Sequence, residues 1–382
     1  MKIGITTFGG DGGKSGISQY IINLLREFSS LMSGESGEVL VYEEEKNIFV
    51  PDNGDILPLC FDYRLRSPIL NLAWHQVALP RWCRKRKYDV LFLPAGNRRL
   101  PLSVPCPTVG TVHDFSSLHV EGKYDPARMF YISRVLPPLI RRLTRVITVS
   151  ESSKRDIVEH AGVPEERITV TPLAADSQLY FPRDKENATS RIRARYGVQP
   201  PYIFYLSRIE HPGKNHVRLI RAFARLKATR TVPHQLVLAG SDWLRADEVH
   251  RAAADSGCAA EILFTGFTPA EDLPDLYCGA DLFVFPSLYE GFGLPVLEAM
   301  SCGVPVACSN LSSMPEVAGD GGLLFDPYDE EAMAETIRSV LMDATLQKHY
   351  ARRGLERSKE FSWSRTAVRT LEVIRAAAEE YH

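Results

Sequence analysis

The chain has 382 residues, 45 Lys and Arg against 47 Asp and Glu, a formal net charge of −2 at pH 7, and 45% hydrophobic residues. That length exceeds the usual single core and predicts two domains, while the composition excludes disordered and fibrous chains and gives no reason to expect a nucleic-acid partner. No run approaches the ~18 apolar residues of a spanning helix, the N-terminus lacks a signal-peptide core, and the seven cysteines show neither metal-site nor disulfide spacing. A cytoplasmic protein with reduced, mostly buried thiols is expected.

In chain order, KIGITTF reads as a first strand, followed by the loop FGGDGGKSGIS and a helix from Gly16 to about Met32. The loop nearly completes a phosphate-binding G-x-x-x-x-G-K-S, but Phe8 stands where the first glycine belongs. EVLVYEEE reads as the next strand. Between Tyr63 and Arg99 lie nine Lys and Arg against the single acid Asp89, with Trp74 and Trp82 among them. This stretch is read either as a peripheral contact with anionic lipid or a pyrophosphate-linked acceptor, or as a solvated helix end with core tryptophans. DVLFLPA and TVGTVHD follow as strands, the second closing on His113 and Asp114. RVITVS leads into a helix after Glu151, and ITVTPL ends the first series.

A polar, proline-punctuated stretch from about 176 to 196 reads as linker, and the strand rhythm then restarts with YIFYLSR, QLVLAGS, EILFTG, DLFVFPS and PVACS. Alternating strands and helices predict an α/β fold of two doubly wound parallel sheets. The domains are placed at 1–180 and 190–361, and ligands are expected in the cleft between them, beyond the carboxyl ends of the strands. The paired cations Arg208 and Lys214, at the end of one such strand, suit a diphosphate.

The most informative stretch is DLFVFPSLYEGFGLPVLEAMSCGVPVACSN. A buried strand runs into a turn where Gly291 and Gly293 allow close backbone approach, and Pro295 suits the start of a helix that Gly303 ends. Such a corner offers amides and a helix dipole to an anion, while Glu298, one turn in, accepts hydrogen bonds from neighbouring hydroxyls. A phosphate flanked by sugar hydroxyls fits.

The E-x7-E spacing of Glu290 and Glu298, with GFGLP between them and GVPV after, resembles the signature of family 4 retaining glycosyltransferases of the GT-B fold. The resemblance implies two Rossmann-like domains facing a central cleft, with a last helix, 362–382, completing the N-terminal acceptor-binding domain. It implies catalytic roles for His113, Asp114, Arg208, Lys214 and Glu290. Donor contacts fall to Gly16, Gly240, Phe267, Gly291, Phe292, Gly293, Leu294 and Glu298, with Glu298 on the ribose and backbone near Phe267 on the base. SGISQY keeps only Gly16 and Tyr20 of the family's GG-x-x-x-Y, and Lys214 follows Arg208 by six residues where five is commoner. VSESSKRDIVEHAGVPEERI and SSMPEV resemble bacterial mannosyltransferases of polysaccharide and O-antigen assembly, which makes GDP-mannose the leading donor over UDP-sugars. No D-x-D occurs, so no metal or other cofactor is expected, and Arg208, Lys214 and helix amides would neutralise the diphosphate. The acceptor would be a saccharide or lipid-linked saccharide, reached from the cytoplasm or the inner face of the plasma membrane. A P-loop NTPase, a sugar-nucleotide epimerase and a non-catalytic scaffold are the alternatives.

Overall fold

Short strands buried on both faces, joined by helices, form parallel sheets, because a helical crossover returns each strand in the same direction and covers the sheet. The computed structural model shows two such sheets and describes every residue except Lys14, Ser33, 52–55, Glu121, Lys123, Tyr124, Arg230, Thr231, Tyr381 and His382. Lys14 of the near-complete phosphate motif and the last two residues of the expected terminal helix therefore lie outside the described residues.

The chain divides into two compact units, the first comprising 1–115, 126–173 and 362–382, the second 116–125 and 174–361. The first holds seven strands: β1 (Lys2–Thr6), β2 (Ser36–Tyr42), β3 (Ile56–Phe61), β4 (Val90–Leu93), β5 (Thr108–Thr111), β6 (Arg145–Thr148) and β7 (Ile168–Val170). Their order is β3-β2-β1-β4-β5-β6-β7, and every pairing is parallel. β3 was missed in the sequence because ILPLCF is an edge strand with Leu57 and Cys60 exposed, so it lacks the solid apolar run of its neighbours. The predicted strand EVLVYEEE stops at Tyr42, and Glu43–Glu45 turn into a short 3-10 helix.

The helix Gly16–Leu31 covers this sheet with Tyr20, Leu24 and Phe28, all essentially inaccessible to solvent. The helix Trp363–Glu379 packs beside it and against β4, β5 and β6, burying Ala367, Leu371 and Ile374. Arg375 holds Glu35 through two bonds of 2.8 and 2.9 Å. Arg145 pairs with Glu380, and the Thr366 hydroxyl donates to the Pro172 carbonyl.

The second unit holds β8 (Tyr202–Leu206), β9 (Gln235–Ala239), β10 (Ile262–Gly266), β11 (Leu282–Phe285), β12 (Val306–Ser309) and β13 (Leu323–Phe325), in the order β10-β9-β8-β11-β12-β13. Phe204, Tyr277 and Phe283 form its aromatic centre, with ring centroids 5.2–5.8 Å apart. The linker reading needs correction: Lys185–Tyr196 is a helix, capped by Asp184, whose carboxylate accepts from the Asn187 amide at 2.9 Å. In both sheets the strand order reverses beside the first strand, between β1 and β4 and between β8 and β11, and the crevice beyond such a reversal is where open α/β sheets bind ligands. Among the described residues no helix is long and apolar enough to cross a membrane. All seven cysteines are free and only Cys60 is exposed.

Candidate active site

Beyond the ends of β8 and β11 two loops meet. The Leu288 amide donates to the Gly213 carbonyl at 2.9 Å, and the buried Asn215 side chain donates to the Pro286 and Pro327 carbonyls at 3.0 and 2.7 Å. This lacing sets Lys214 opposite Glu290, with Lys214 Nζ 2.6 Å from Glu290 Oε1, and the Ser287 hydroxyl donates to the same oxygen at 2.6 Å. The extra residue between Arg208 and Lys214 therefore leaves the ammonium on the carboxylate.

The turn after Glu290 is held from behind. The Glu290 amide donates to Ser312 Oγ at 3.0 Å, and the Ser313 hydroxyl donates to the carbonyls of Glu290 and Phe292 at 3.0 and 2.9 Å. Gly293 then sits at φ +99°, a left-handed conformation that favours glycine. The helix Leu294–Ser301 begins there, with Pro295 in its first turn and Gly303 at φ +72° just past its end. Among the described residues the amides of Phe292 and Gly293 have no partner within the protein, and unpartnered amides at a helix start are the kind of donors an anion takes. Leu294 opens that helix, and Gly291 is buried in the turn.

Glu298 lies one turn further and is already engaged: Tyr277 donates to its Oε2 at 2.8 Å, and Tyr180 is a second phenol donor. Burial pushes its carboxyl up to about 7, against the lowering by the two phenols. The tyrosines were not legible as site residues, because their register against Glu298 exists only once the sheet has formed.

Arg208 is half exposed, with its guanidinium over the Trp243 ring at 5.3 Å and Nη2 3.5 Å from the buried Glu210 carboxylate. The two loops are stitched together, since Ile209 and His211 donate to the carbonyls of Ser241 and Leu244 and Trp243 donates to that of Ile209. Gly240, at φ +139°, lies where a Cβ would meet the Ser207 carbonyl oxygen at 1.9 Å, so its glycine is required by this backbone crossing. Phe267 follows Gly266, φ +68°, and is 60% exposed.

In the first unit, His113 follows β5 and is buried. Its Nε2 lies 2.8 Å from the Pro94 carbonyl oxygen and must donate there, which leaves Nδ1 as the acceptor of a neutral ring; burial pulls its pKa down to about 4. The Tyr20 ring packs edge-on at 4.9 Å, and the His113 carbonyl accepts from the Ser153 hydroxyl at 2.9 Å. The orientation thus comes from Pro94 and Tyr20, with the half-buried Asp114 next in the chain.

In the described part of the glycine loop, the chain itself occupies the helix start. Asp11 accepts from the Ser15 amide at 2.9 Å and from the Ser18 hydroxyl at 2.6 Å, so a carboxylate of the chain itself sits at the start of the helix that opens with the exposed Gly16. Burial raises the Asp11 pKa, but the serine bonds outweigh it and the net shift is downward. Gly9 and Gly10 are explained by packing, since a Cβ on them would meet Ala95 Cβ at 2.1 Å and the Phe49 ring at 2.7 Å.

A strand-to-helix turn with unpartnered amides at the reversal of a parallel sheet, with an ammonium–carboxylate pair on it, suits an enzyme that handles nucleotide-linked groups. Residues 189–357 match the family profile "Glycosyl transferases group 1", and residues 14–179 match "Glycosyltransferase Family 4". The chain is 35% identical over 263 residues to an O-antigen chain mannosyltransferase B of Escherichia coli, covering 69% of this chain and 68% of that one. It is 31% identical over 285 residues to the serotype-specific mannosyltransferase WbdA of Escherichia coli, covering 73% of this chain but about a third, 34%, of the relative. The solved structure of Anabaena HepE in complex with UDP-glucose superposes with a TM-score of 0.75 at 22% identity, covering 98% of this chain and 100% of that one. The chain belongs to the group 1 and family 4 glycosyltransferases, and its fold is GT-B.

Proposed function

We propose that this glycosyltransferase moves a mannosyl residue from GDP-mannose to a hydroxyl of a saccharide or lipid-linked saccharide of the bacterial cell surface, with retention at the anomeric carbon. The observation that carries the reading is the 2.6 Å Lys214–Glu290 pair on the turn whose following amides, those of Phe292 and Gly293, have no partner among the described residues and lead into a helix. Both relatives are named as mannosyltransferases, which suggests the sugar, and the one named as an O-antigen chain mannosyltransferase suggests the setting.

In the proposed reaction the bond from the anomeric carbon to the diphosphate oxygen breaks while the acceptor oxygen bonds the same face. The acceptor proton passes to the departing phosphate oxygen. Negative charge grows on the leaving diphosphate, and Lys214, Arg208 and the turn amides stabilise it as fixed donors in place of a metal. Glu290 accepts from donor hydroxyls and favours the positively charged sugar, without acting as nucleophile. Glu298 accepts from ribose hydroxyls, exposed backbone at Gly266–Phe267 meets the base, and His113 Nδ1 accepts from a sugar hydroxyl.

A second reading, a UDP-sugar donor, is favoured by the UDP-glucose bound in HepE. Mass spectrometry of reactions with GDP-mannose or UDP-glucose and a mannosylated acceptor, in chelator, separates the two, and NMR of the product reports the anomer. Transfer from GDP-mannose with an α-linked product supports the proposal; transfer from UDP-glucose alone, a β-linked product, or strict metal dependence overturns the corresponding part.

A further inference from the structure

The basic stretch between Tyr63 and Arg99 divides once its contacts are known. Arg86 is bonded to Glu38 at 2.8 Å, and Arg98 donates to the Gly9 carbonyl at 2.7 Å, so both serve the fold. Arg81, Arg84 and Lys85 are exposed on the helix Leu79–Arg86, and among the described residues no carboxylate pairs with them.

Just before that helix runs Pro68–Ala73, continued without a break by the wider turn Trp74–Ala78. Its inner face is pinned. Asn71 donates to the Tyr42 hydroxyl at 2.9 Å, Trp74 packs on Phe8 at 4.5 Å, and His75 is buried. The outer face is apolar and in solvent: Ile69 is 79% exposed, and Leu70, Leu72 and Val77 are close to half exposed. Scattered apolar residues on a surface need no explanation, but four exposed along the solvent side of one helical segment, fixed by a packed inner side and followed by unpaired cations, mark an interaction site. Trp82 is half buried between Phe61, 5.5 Å away, and the Lys85 ammonium at 5.1 Å, the amphipathic placement favoured at a lipid–water boundary.

We propose that this face docks the protein on an anionic lipid bilayer, Ile69, Leu70, Leu72 and Val77 entering the headgroup boundary while Arg81, Arg84 and Lys85 meet lipid phosphates. The charge pattern selects the occupant, because an apolar face flanked by cations complements a negatively charged bilayer, whereas a second copy of the chain would set the same cations against each other. The inference does not depend on the donor or the reaction, since docking is measured without substrate.

The test is co-sedimentation of the full chain with vesicles of phosphatidylcholine alone and of phosphatidylcholine mixed equally with phosphatidylglycerol, with Trp82 fluorescence as a second readout. Binding to the mixed vesicles only is expected, weakening as salt is raised. The I69S/L72S/V77S variant should lose it, and R81Q/R84Q/K85Q should weaken it on the order of a hundredfold. All six positions are exposed, so unchanged melting curves will show that the variants fold. Failure of the wild type to bind mixed vesicles, or equal binding by the serine variant, overturns the proposal. So does a concentration-dependent dimer in sedimentation velocity that the serine variant abolishes, because that would make the face an interface between copies.

Discussion

Lys214 Nζ and Glu290 Oε1 are 2.6 Å apart, each side chain 17% exposed, and the Ser287 hydroxyl shares the same carboxylate oxygen. The pair is mostly sheltered from solvent, so each charge holds the other in place. Glu290→Gln keeps the Ser287 bond but removes the charge; turnover should fall by roughly two to three orders of magnitude while stability changes by about 1–3 kcal/mol. Steady-state rates with saturating donor, set beside denaturant midpoints, check this. A Gln variant with wild-type turnover would remove Glu290 from the mechanism.

Arg208 makes a stacking contact with Trp243 and a long ion pair with Glu210, and half of its side chain is in solvent. Arg208→Ala should therefore cost no more than about 0.5 kcal/mol of stability while turnover falls roughly a hundredfold or more. Trp243→Ala should show a milder form of the same defect. Wild-type turnover of Arg208→Ala at saturating donor would end the assignment of Arg208 to the diphosphate.

The Glu298 carboxyl, at about 7 against its ordinary 4.5, binds its proton more tightly in the folded chain than in the unfolded one. Its contribution to stability is therefore full below 4.5 and is lost as pH rises through 7. If Glu298 is the ribose acceptor, as proposed, a ribose hydroxyl would donate to its ionised form, so binding should run the other way: calorimetry with GDP should show affinity rising as pH passes upward through 7. Glu298→Gln should flatten both profiles. A GDP affinity that is flat through pH 7 in the wild type would exclude Glu298 as the ribose acceptor.

Gly240→Ala places a methyl group 1.9 Å from the Ser207 carbonyl oxygen at a φ of +139°. The strand end must shift, and a loss of about 3 kcal/mol or more is expected, read as a lower urea midpoint. Ser207 precedes Arg208, so turnover should fall with it. A midpoint equal to that of the wild type would show that the crossing relaxes freely.

The corner from β11 to Gly303 was legible because each local signal agreed: a buried strand, glycines at the two positive-φ positions Gly293 and Gly303, and a proline in the first helical turn. The residues that complete it were not. Tyr180, Tyr277 and Trp243 reach Glu298 or Arg208 only through strand register and loop pairing, which no local pattern encodes, whereas Ser312 and Ser313 belong to the SS-x-PE pattern and prove to hold the backbone of the turn. The helix Lys185–Tyr196 was read as linker because it is polar almost all round and buries only Ala188 and Ile192. β13 was missed because three residues are too few to show a period. In the first unit, Gly9 and Gly10 of the glycine loop also have a packing reason that no local pattern shows, in Ala95 and Phe49.

The helix Trp363–Glu379 belongs to the first unit although it is the last element of the chain, and it buries Ala367, Leu371 and Ile374 there. Ribosomal synthesis therefore delivers part of the first unit's core only after the whole second unit has been made. A nascent chain halted before Ser362 leaves the apolar surface over β4, β5 and β6 uncovered, and a truncation there would be felt as insolubility of the N-terminal half.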